Sequence, residues 1–250
     1  MEFDRLLQSA GLSPRRVRGL ADVRDVAIDS RACGPGSCFV AIRGSAADGH
    51  AFLPAAVAAG TAAVVCEDDA SVPDALARAV LDDTRPAAGP LAQAVRGWPS
   101  RKLTAIGVTG TNGKTTVAWL LRDALRSLGA APGVIGTVRY ETPAGRLPAG
   151  RTTPDPVRLA ALCERIVAEG GTHLVMEASS HALDQHRVRG IDFDCGVFTN
   201  LSGDHLDYHE TMAAYAEAKA RLFASLDAGG VAVINRDDAA GEAMAAAAGE

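Results

Sequence analysis

Past residue 103 the chain switches repeatedly between two hydrophobic rhythms. The runs "LTAIGV" (103–108), "THLVME" (172–177), "FDCGVFTN" (193–200) and "GVAVIN" (230–235) are short and mostly apolar, which predicts buried strands. Between them, apolar residues recur at helical spacing. Val117, Leu120, Leu121, Ala124, Leu125 and Leu128 predict a helix with one apolar face, stopped by Gly129. In "TTPDPVRLAALCERIVAEGG" (152–171), Asp155 is placed to cap a helix and Pro156 to occupy its first position. Leu159, Leu162, Cys163, Ile166 and Val167 then form its buried stripe. A third helix is predicted over "TMAAYAEAKARLFASL" (211–226), with Met212, Tyr215, Ala216, Leu222, Phe223 and Leu226 on its apolar side. Strands alternating with helices predict an α/β fold with a mostly parallel sheet covered on both faces.

The N-terminal portion has its own pattern. Extended segments "VRDVAIDS", "GSCFVAI" and "TAAVVCE" surround one helical segment, "HAFLPAAVAAG", which predicts a small α/β unit. "DDTRPAAGP" carries turn residues, "LAQAVRGW" suits a short helix, and "PSRK" reads as a linker, so a domain boundary is expected near residue 100. The alanine-rich end, "DDAAGEAMAAAAGE", shows no closing strand, and the central fold is expected to be incomplete at residue 250.

With 250 residues, 48% of them hydrophobic and 22% charged, the chain can bury a sizeable core and reads as a soluble globular protein. A net charge of −5 and the lack of a Lys/Arg-rich run argue against a nucleic-acid partner, so any bound anion must be held locally. The five cysteines form no C-x-x-C pair and sit mainly in apolar runs, as buried free thiols in a reducing compartment would. The charged N-terminus is unlike a signal peptide, and no apolar run reaches the roughly 20 residues a membrane span needs. Cytoplasm is the expected location.

Between the first strand and helix lies "GVTGTNGKTT" (107–116). It departs from the G-x-x-x-x-G-K-[ST] phosphate-loop pattern, because Val108 stands where the first glycine is required. Gly110 and Gly113 are nevertheless placed to bring backbone amides close to an anion at the start of a helix. Lys114 would reach phosphate oxygens and Thr115 would offer a hydroxyl to Mg²⁺.

Three polar clusters follow predicted strands. Glu177 closes "THLVME", where it either binds Mg²⁺ or merely ends a strand. Ser179, Ser180, His181, Gln185, His186 and Arg187 crowd the next loop. Asn200, Asp204, His205, Asp207 and His209 follow "FDCGVF", suiting metal or proton chemistry, or alternatively local capping. Lys219 falls on the buried side of the last helix. Either its stem packs while its ammonium reaches water, or it is a desolvated amine, neutral near physiological pH. A neutral amine near Mg²⁺ can add carbon dioxide and become a carbamate.

"TGTNGKTT", "RTTPD", "MEASSHALDQHRV", "TNLSGDHLDYH" and "AYAEAKARLF", in this order, resemble the Mur ligase family, and "AIDSRACGPGSCFVAIRGSAADGHAF" resembles its uridine-binding domain. The resemblance implies a UDP-sugar-binding domain over residues 1–100 and part of an ATP-binding central domain with a phosphate loop over 101–250, without a third domain. It implies an ATP-dependent ligase that joins a diamino acid, meso-diaminopimelate or L-lysine, to UDP-N-acetylmuramoyl-L-alanyl-D-glutamate through an acyl phosphate, in peptidoglycan precursor synthesis. The chain as given is expected not to complete that reaction alone, and to be monomeric.

Carried over by position, Gly110, Thr111, Asn112, Gly113, Lys114, Thr115, Thr116 and Asn200 would contact ATP. Thr115 and Glu177 would hold one Mg²⁺, and His205 with a carbamylated Lys219 a second. Lys114, Glu177, His205 and Lys219 would be the catalytic set. Ile28, Ser30, Ser45, Ala46 and Ala47 would contact the uridine diphosphate, and Thr152, Thr153, Ser179, Gln185 and Arg187 the muramoyl-dipeptide. The competing expectations are another Mur-type ligase, a folylpolyglutamate synthetase, or a nucleotide-binding paralogue without activity.

Overall fold

The apolar runs of the N-terminal portion are buried on both faces, and they pair in parallel. A computed structural model describes residues 1–44 and 47–249, and the chain divides into two units, Met1–Trp98 and Pro99–Glu250. The first unit contains α1 (Phe3–Ser9), β1 (Arg16–Arg18), β2 (Asp25–Ala27), β3 (Ser37–Val40), α2 (Leu53–Ala58), β4 (Ala63–Cys66), β5 (Ala77–Val80) and α3 (Ala88–Val95). Its sheet runs β1-β5-β4-β3-β2, parallel except for β1. Phe39, Leu53, Val64, Cys66 and Val80 fill the core beneath it.

The sequence reading places neither α1 nor β1, and two further features of this unit differ from it. Strand β5 was not expected, because Arg78 interrupts its apolar run; the guanidinium is buried against Asp69 (3.0 Å) and Asp74 (2.9 Å), which makes a charge compatible with a central position. The turn-like "DDTRPAAGP" yields to helix α3 at Ala88, and Pro90 sits in its first turn, where a missing N–H costs no helical bond.

The second unit comprises β6 (Thr104–Thr109), α4 (Lys114–Ser127), β7 (Pro132–Ile135), β8 (Arg139–Thr142), β9 (Gly145–Pro148), α5 (Pro156–Ala168), β10 (His173–Glu177), α6 (Ser180–Asp184), β11 (Phe193–Phe198), α7 (Leu206–His209), α8 (Met212–Ala224), β12 (Leu226–Ile234) and α9 (Gly241–Ala247). Its sheet order is β12-β11-β6-β10-β7-β8-β9. The first five strands in that order are parallel; β8 and β9 form an antiparallel extension. All the loops that matter chemically leave the carboxyl ends of the parallel strands, where open α/β sheets bind ligands.

Helix α5 forms as its sequence predicts. The Asp155 side chain accepts from the Arg158 amide at 2.9 Å, and Leu159, Leu162, Cys163 and Ile166 are buried. Asp155→Ala is expected to cost about 1 kcal/mol through the lost cap. A urea midpoint equal to that of the unaltered chain would contradict this.

Helix α4 is rotated relative to its predicted face. Ala118 is buried, with Val117, Leu121 and Leu125 packed beside it, whereas Leu120 and Leu128 are 63% and 82% exposed. The six candidate leucine, valine and alanine positions spread over too wide an arc for all to reach the part of the sheet that carries Ile106, Val108 and Val175. At α8 the stripe holds for Tyr215, Leu222 and Phe223, while Met212 faces solvent.

Candidate active site

Strand β6 continues through Val108, which is fully buried and aligned with both Glu177 of β10 and Val197 of β11. The residue that breaks the phosphate-loop pattern is therefore a core strand residue, and the loop itself is only 110–113. Gly110 has φ +145° and Gly113, the residue before α4, has φ +82°. The loop is fixed from β11's carboxyl end. The Asn200 amide accepts from the Asn112 amide (3.0 Å) and donates to its carbonyl (3.1 Å), and the Thr199 hydroxyl donates to the Asn112 carbonyl (2.6 Å).

Two lysines converge on this loop. Lys114 donates to the carbonyls of Gly110 and Thr111, both at 2.8 Å, and Lys219 donates to the same Gly110 carbonyl at 2.8 Å. Burial pulls both amines below their ordinary pKa. Lys219, 1% exposed, falls to about 7, through burial first and the neighbouring Lys114 charge second. Its ammonium lies 4.3 Å from the centre of the Tyr215 ring, and the Tyr215 hydroxyl shares a 3.1 Å hydrogen bond with that of Thr111. Lys219 is thus buried outright, with no path for its head group to snorkel.

Glu177 is also buried, at 1% exposure. Thr115 donates to its Oε2 at 2.9 Å; the Thr137 amide donates to Oε1 at 2.9 Å and the Thr137 hydroxyl to Oε2 at 3.0 Å. Thr137 was not singled out in the sequence, because β7 is four residues long and lies in a stretch without clear periodicity. The usable signal was its position just past an apolar run in an alternating α/β pattern.

Thr111 to Thr116, Thr137, Thr152, Glu177, Ser179 and His205 line one cleft of about 290 Å³. Thr153 stands behind it, donating to the Glu177 carbonyl (2.7 Å) and accepting from the Ser179 amide (3.1 Å). Arg187 donates twice to the Gln185 side-chain Oε1, at 3.1 and 2.6 Å. His205 is half exposed and T-stacked on His181 at 4.8 Å, within a ring cluster that includes Tyr208, His209 and Tyr215. Asp204 accepts from the amide of the adjacent His205 at 2.9 Å, a contact that caps no helix, since α7 starts without a side-chain cap.

The remaining candidates belong to the other unit. Ile28 and Ser30 lie half-buried just past β2, with Asp29 capping the short turn that Ser30 opens, and Ala47 is exposed. Ser45 and Ala46 lie outside the described residues.

Among the described residues no group of three or more His, Cys, Asp or Glu side chains forms a metal cage. Mg²⁺ does not require one. A hard cation takes one or two protein oxygens and completes its shell with water and phosphate, and the Thr115 hydroxyl beside the Glu177 carboxylate is such a pair.

A model described as the Mur ligase middle domain matches residues 108–250, and one described as Mur ligase family, catalytic domain, matches 22–96. The chain is 47% identical over 249 residues to the UDP-N-acetylmuramoyl-L-alanyl-D-glutamate--2,6-diaminopimelate ligase of Chlorobaculum tepidum, covering 98% of this chain and 49% of that one. It is 44% identical over 224 residues to the Parabacteroides distasonis protein of the same name, with 89% and 46% covered. A solved structure bearing that name superposes with a TM-score of 0.76 at 36% identity, covering 90% of this chain and 46% of that one. The chain spans about half the length of the curated relatives it matches.

Proposed function

The chain belongs to the Mur ligase family, and from that premise we propose that it serves an ATP-dependent amide ligase acting on UDP-N-acetylmuramoyl-L-alanyl-D-glutamate. The second substrate is a diamino acid. The names of the relatives favour diaminopimelate over L-lysine. The observation that carries the reading is the convergence of Lys114 and Lys219 on one loop carbonyl beside the Thr115–Glu177 pair. A nucleotide-binding module without chemistry has no need of a second, fully desolvated amine.

In this reading the 110–116 amides and the start of α4 hold the ATP phosphates. Lys114 exchanges its two carbonyl partners for phosphate oxygens. The acceptor's glutamate side-chain carboxylate takes the transferred phosphoryl group, and the amine of the diamino acid then displaces phosphate from the acyl phosphate to form the amide. Thr115 and Glu177 would hold one Mg²⁺. His205 and Lys219 would hold a second, after Lys219 Nζ adds carbon dioxide and releases a proton. Bound Mg²⁺ supplies neutralisation of phosphoryl charge. Gln185 and Arg187, with Thr152, Thr153 and Ser179, orient the muramoyl-dipeptide, while Ile28, Ser30 and the 45–47 stretch serve the uridine diphosphate. We place the reaction in the cytoplasm and the protein as a monomer. The five cysteines are free thiols, and no helix of the described residues is long and apolar enough to cross a membrane.

UDP-N-acetylmuramoyl-L-alanyl-D-glutamate is expected to raise the melting temperature, with a stabilisation of about 2.7 kcal/mol at a hundredfold excess over Kd. Folate is expected to leave it unchanged. A chain stabilised by folate and indifferent to the muramoyl-dipeptide would overturn the assignment in favour of a folylpolyglutamate-type ligase.

A further inference from the structure

We infer that Tyr208 and Asp184 are positioning residues that fix the polarity of Gln185 and so leave the charge of Arg187 free to meet a substrate carboxylate; this rests on the acceptor reading above.

A phenolic hydroxyl has one proton to give. Tyr208 gives it to Asp184 Oδ2 at 2.7 Å, an acceptor that has no hydrogen to offer in return. Its oxygen is then available only as an acceptor, and it takes the Gln185 Nε2–H at 3.0 Å. That contact turns the other end of the amide, Oε1, toward Arg187, whose Nε and one terminal nitrogen donate to it at 3.1 and 2.6 Å. The remaining Arg187 contact is with the Thr153 carbonyl at 3.3 Å. Every partner of this half-buried guanidinium is a neutral oxygen, and no carboxylate among the described residues bonds to it.

The carboxylate that orders the chain has its own counter-charge. Arg221 of α8 meets Asp184 Oδ1 at 3.2 Å and the Asp184 backbone carbonyl at 3.2 Å. Asp184 is therefore neutralised away from the cleft, while Arg187 is held in place without being neutralised. A direct Asp–Arg pair would have cancelled the charge that recognises the ligand. The relay separates the two tasks of orienting a cation and keeping it uncompensated. It also ties three segments together: 179–187, the stretch carrying His205, and the helix carrying Lys219.

Tyr208→Phe keeps the ring against His181 (4.2 Å) and His209 (4.8 Å) and removes only the hydroxyl. Calorimetry with the muramoyl-dipeptide nucleotide is expected to show an affinity loss of about tenfold, with ATP affinity changed by less than about twofold. Asp184→Ala is expected to give a similar loss, and the double variant no more than the larger single loss, because both break one relay. Additive losses, an equal loss for ATP, or an unchanged acceptor affinity overturns the inference. If the unaltered protein binds ATP but not the acceptor, the functional reading fails, and hydrogen exchange still decides the relay. Tyr208→Phe is then expected to speed exchange of the Gln185 and Arg187 amides while sparing those of α4; unchanged exchange refutes it.

Discussion

In a chain extended to the full length of its relatives, replacing Lys219 with alanine is expected to lower ATP-dependent ligation by about 10² to 10³, the range seen when one preorganised electrostatic contact to a developing charge is removed. Lys219→Glu, or added acetate with the alanine variant, is expected to recover part of the rate by supplying a carboxylate where the carbamate would form. Labelled bicarbonate should give a carbamate carbon signal in the unaltered protein and none in either variant. An alanine variant with full activity would sink the role of this lysine.

The same residue predicts a pH dependence of stability. Its folded value of about 7 lies below the ordinary 10.5, so between those pH values the unfolded chain binds the extra proton and the native state does not. Stability then rises with pH across that window. The cost of burying the amine is fully present below about pH 7 and disappears above about 10.5. Lys219→Met leaves the Gly110 carbonyl with its Lys114 donor and is expected to stabilise the protein by up to roughly 5 kcal/mol below pH 7. The gain should shrink toward pH 10. Melting curves of the two proteins against pH test this, and a gain that grows with pH would contradict it.

Gly110→Ala is expected to destabilise the second unit by roughly 2–5 kcal/mol, combining positive-φ strain with overpacking, and to abolish measurable ATP binding. A Cβ there would lie 1.9 Å from the Thr199 hydroxyl and 3.1 Å from both the amide nitrogen and carbonyl oxygen of Asn200. The threonine cannot simply swing aside, because its hydroxyl donates to the Asn112 carbonyl, and the asparagine contacts are backbone. Chemical denaturation and nucleotide titration read the two effects separately. A stable variant that binds ATP normally would show the loop to be far more plastic than this packing allows.

Helix α5 was legible down to its cap because every determinant is local: Asp155, Pro156 and a stripe within four turns. Lys219 was legible as an anomaly, since helical period alone put a charge among Tyr215, Leu222 and Phe223. Its partner was not, because Gly110 lies 109 positions away. Strand β5 was hidden by Arg78, whose compatibility with a buried position depends on Asp69 and Asp74 being folded against it. Thr137 was hidden by the shortness of β7.

The residues of the site were therefore readable as a set of ingredients in order: a short glycine loop, a lysine and threonine behind it, a strand-ending glutamate, and two polar clusters. Sequence determines these because hydrophobic period and turn chemistry act over a few residues. Which ingredients meet was decided by strand register. Val108 aligned with Glu177 on one side and Val197 on the other brings the ends of β6, β10 and β11 level, and only then do Thr115, Thr137 and Glu177 share a carboxylate. Register depends on the packing of the whole sheet against its helices, so the relay from Asp184 through Tyr208 and Gln185 to Arg187 had no signature in the chain until it was folded.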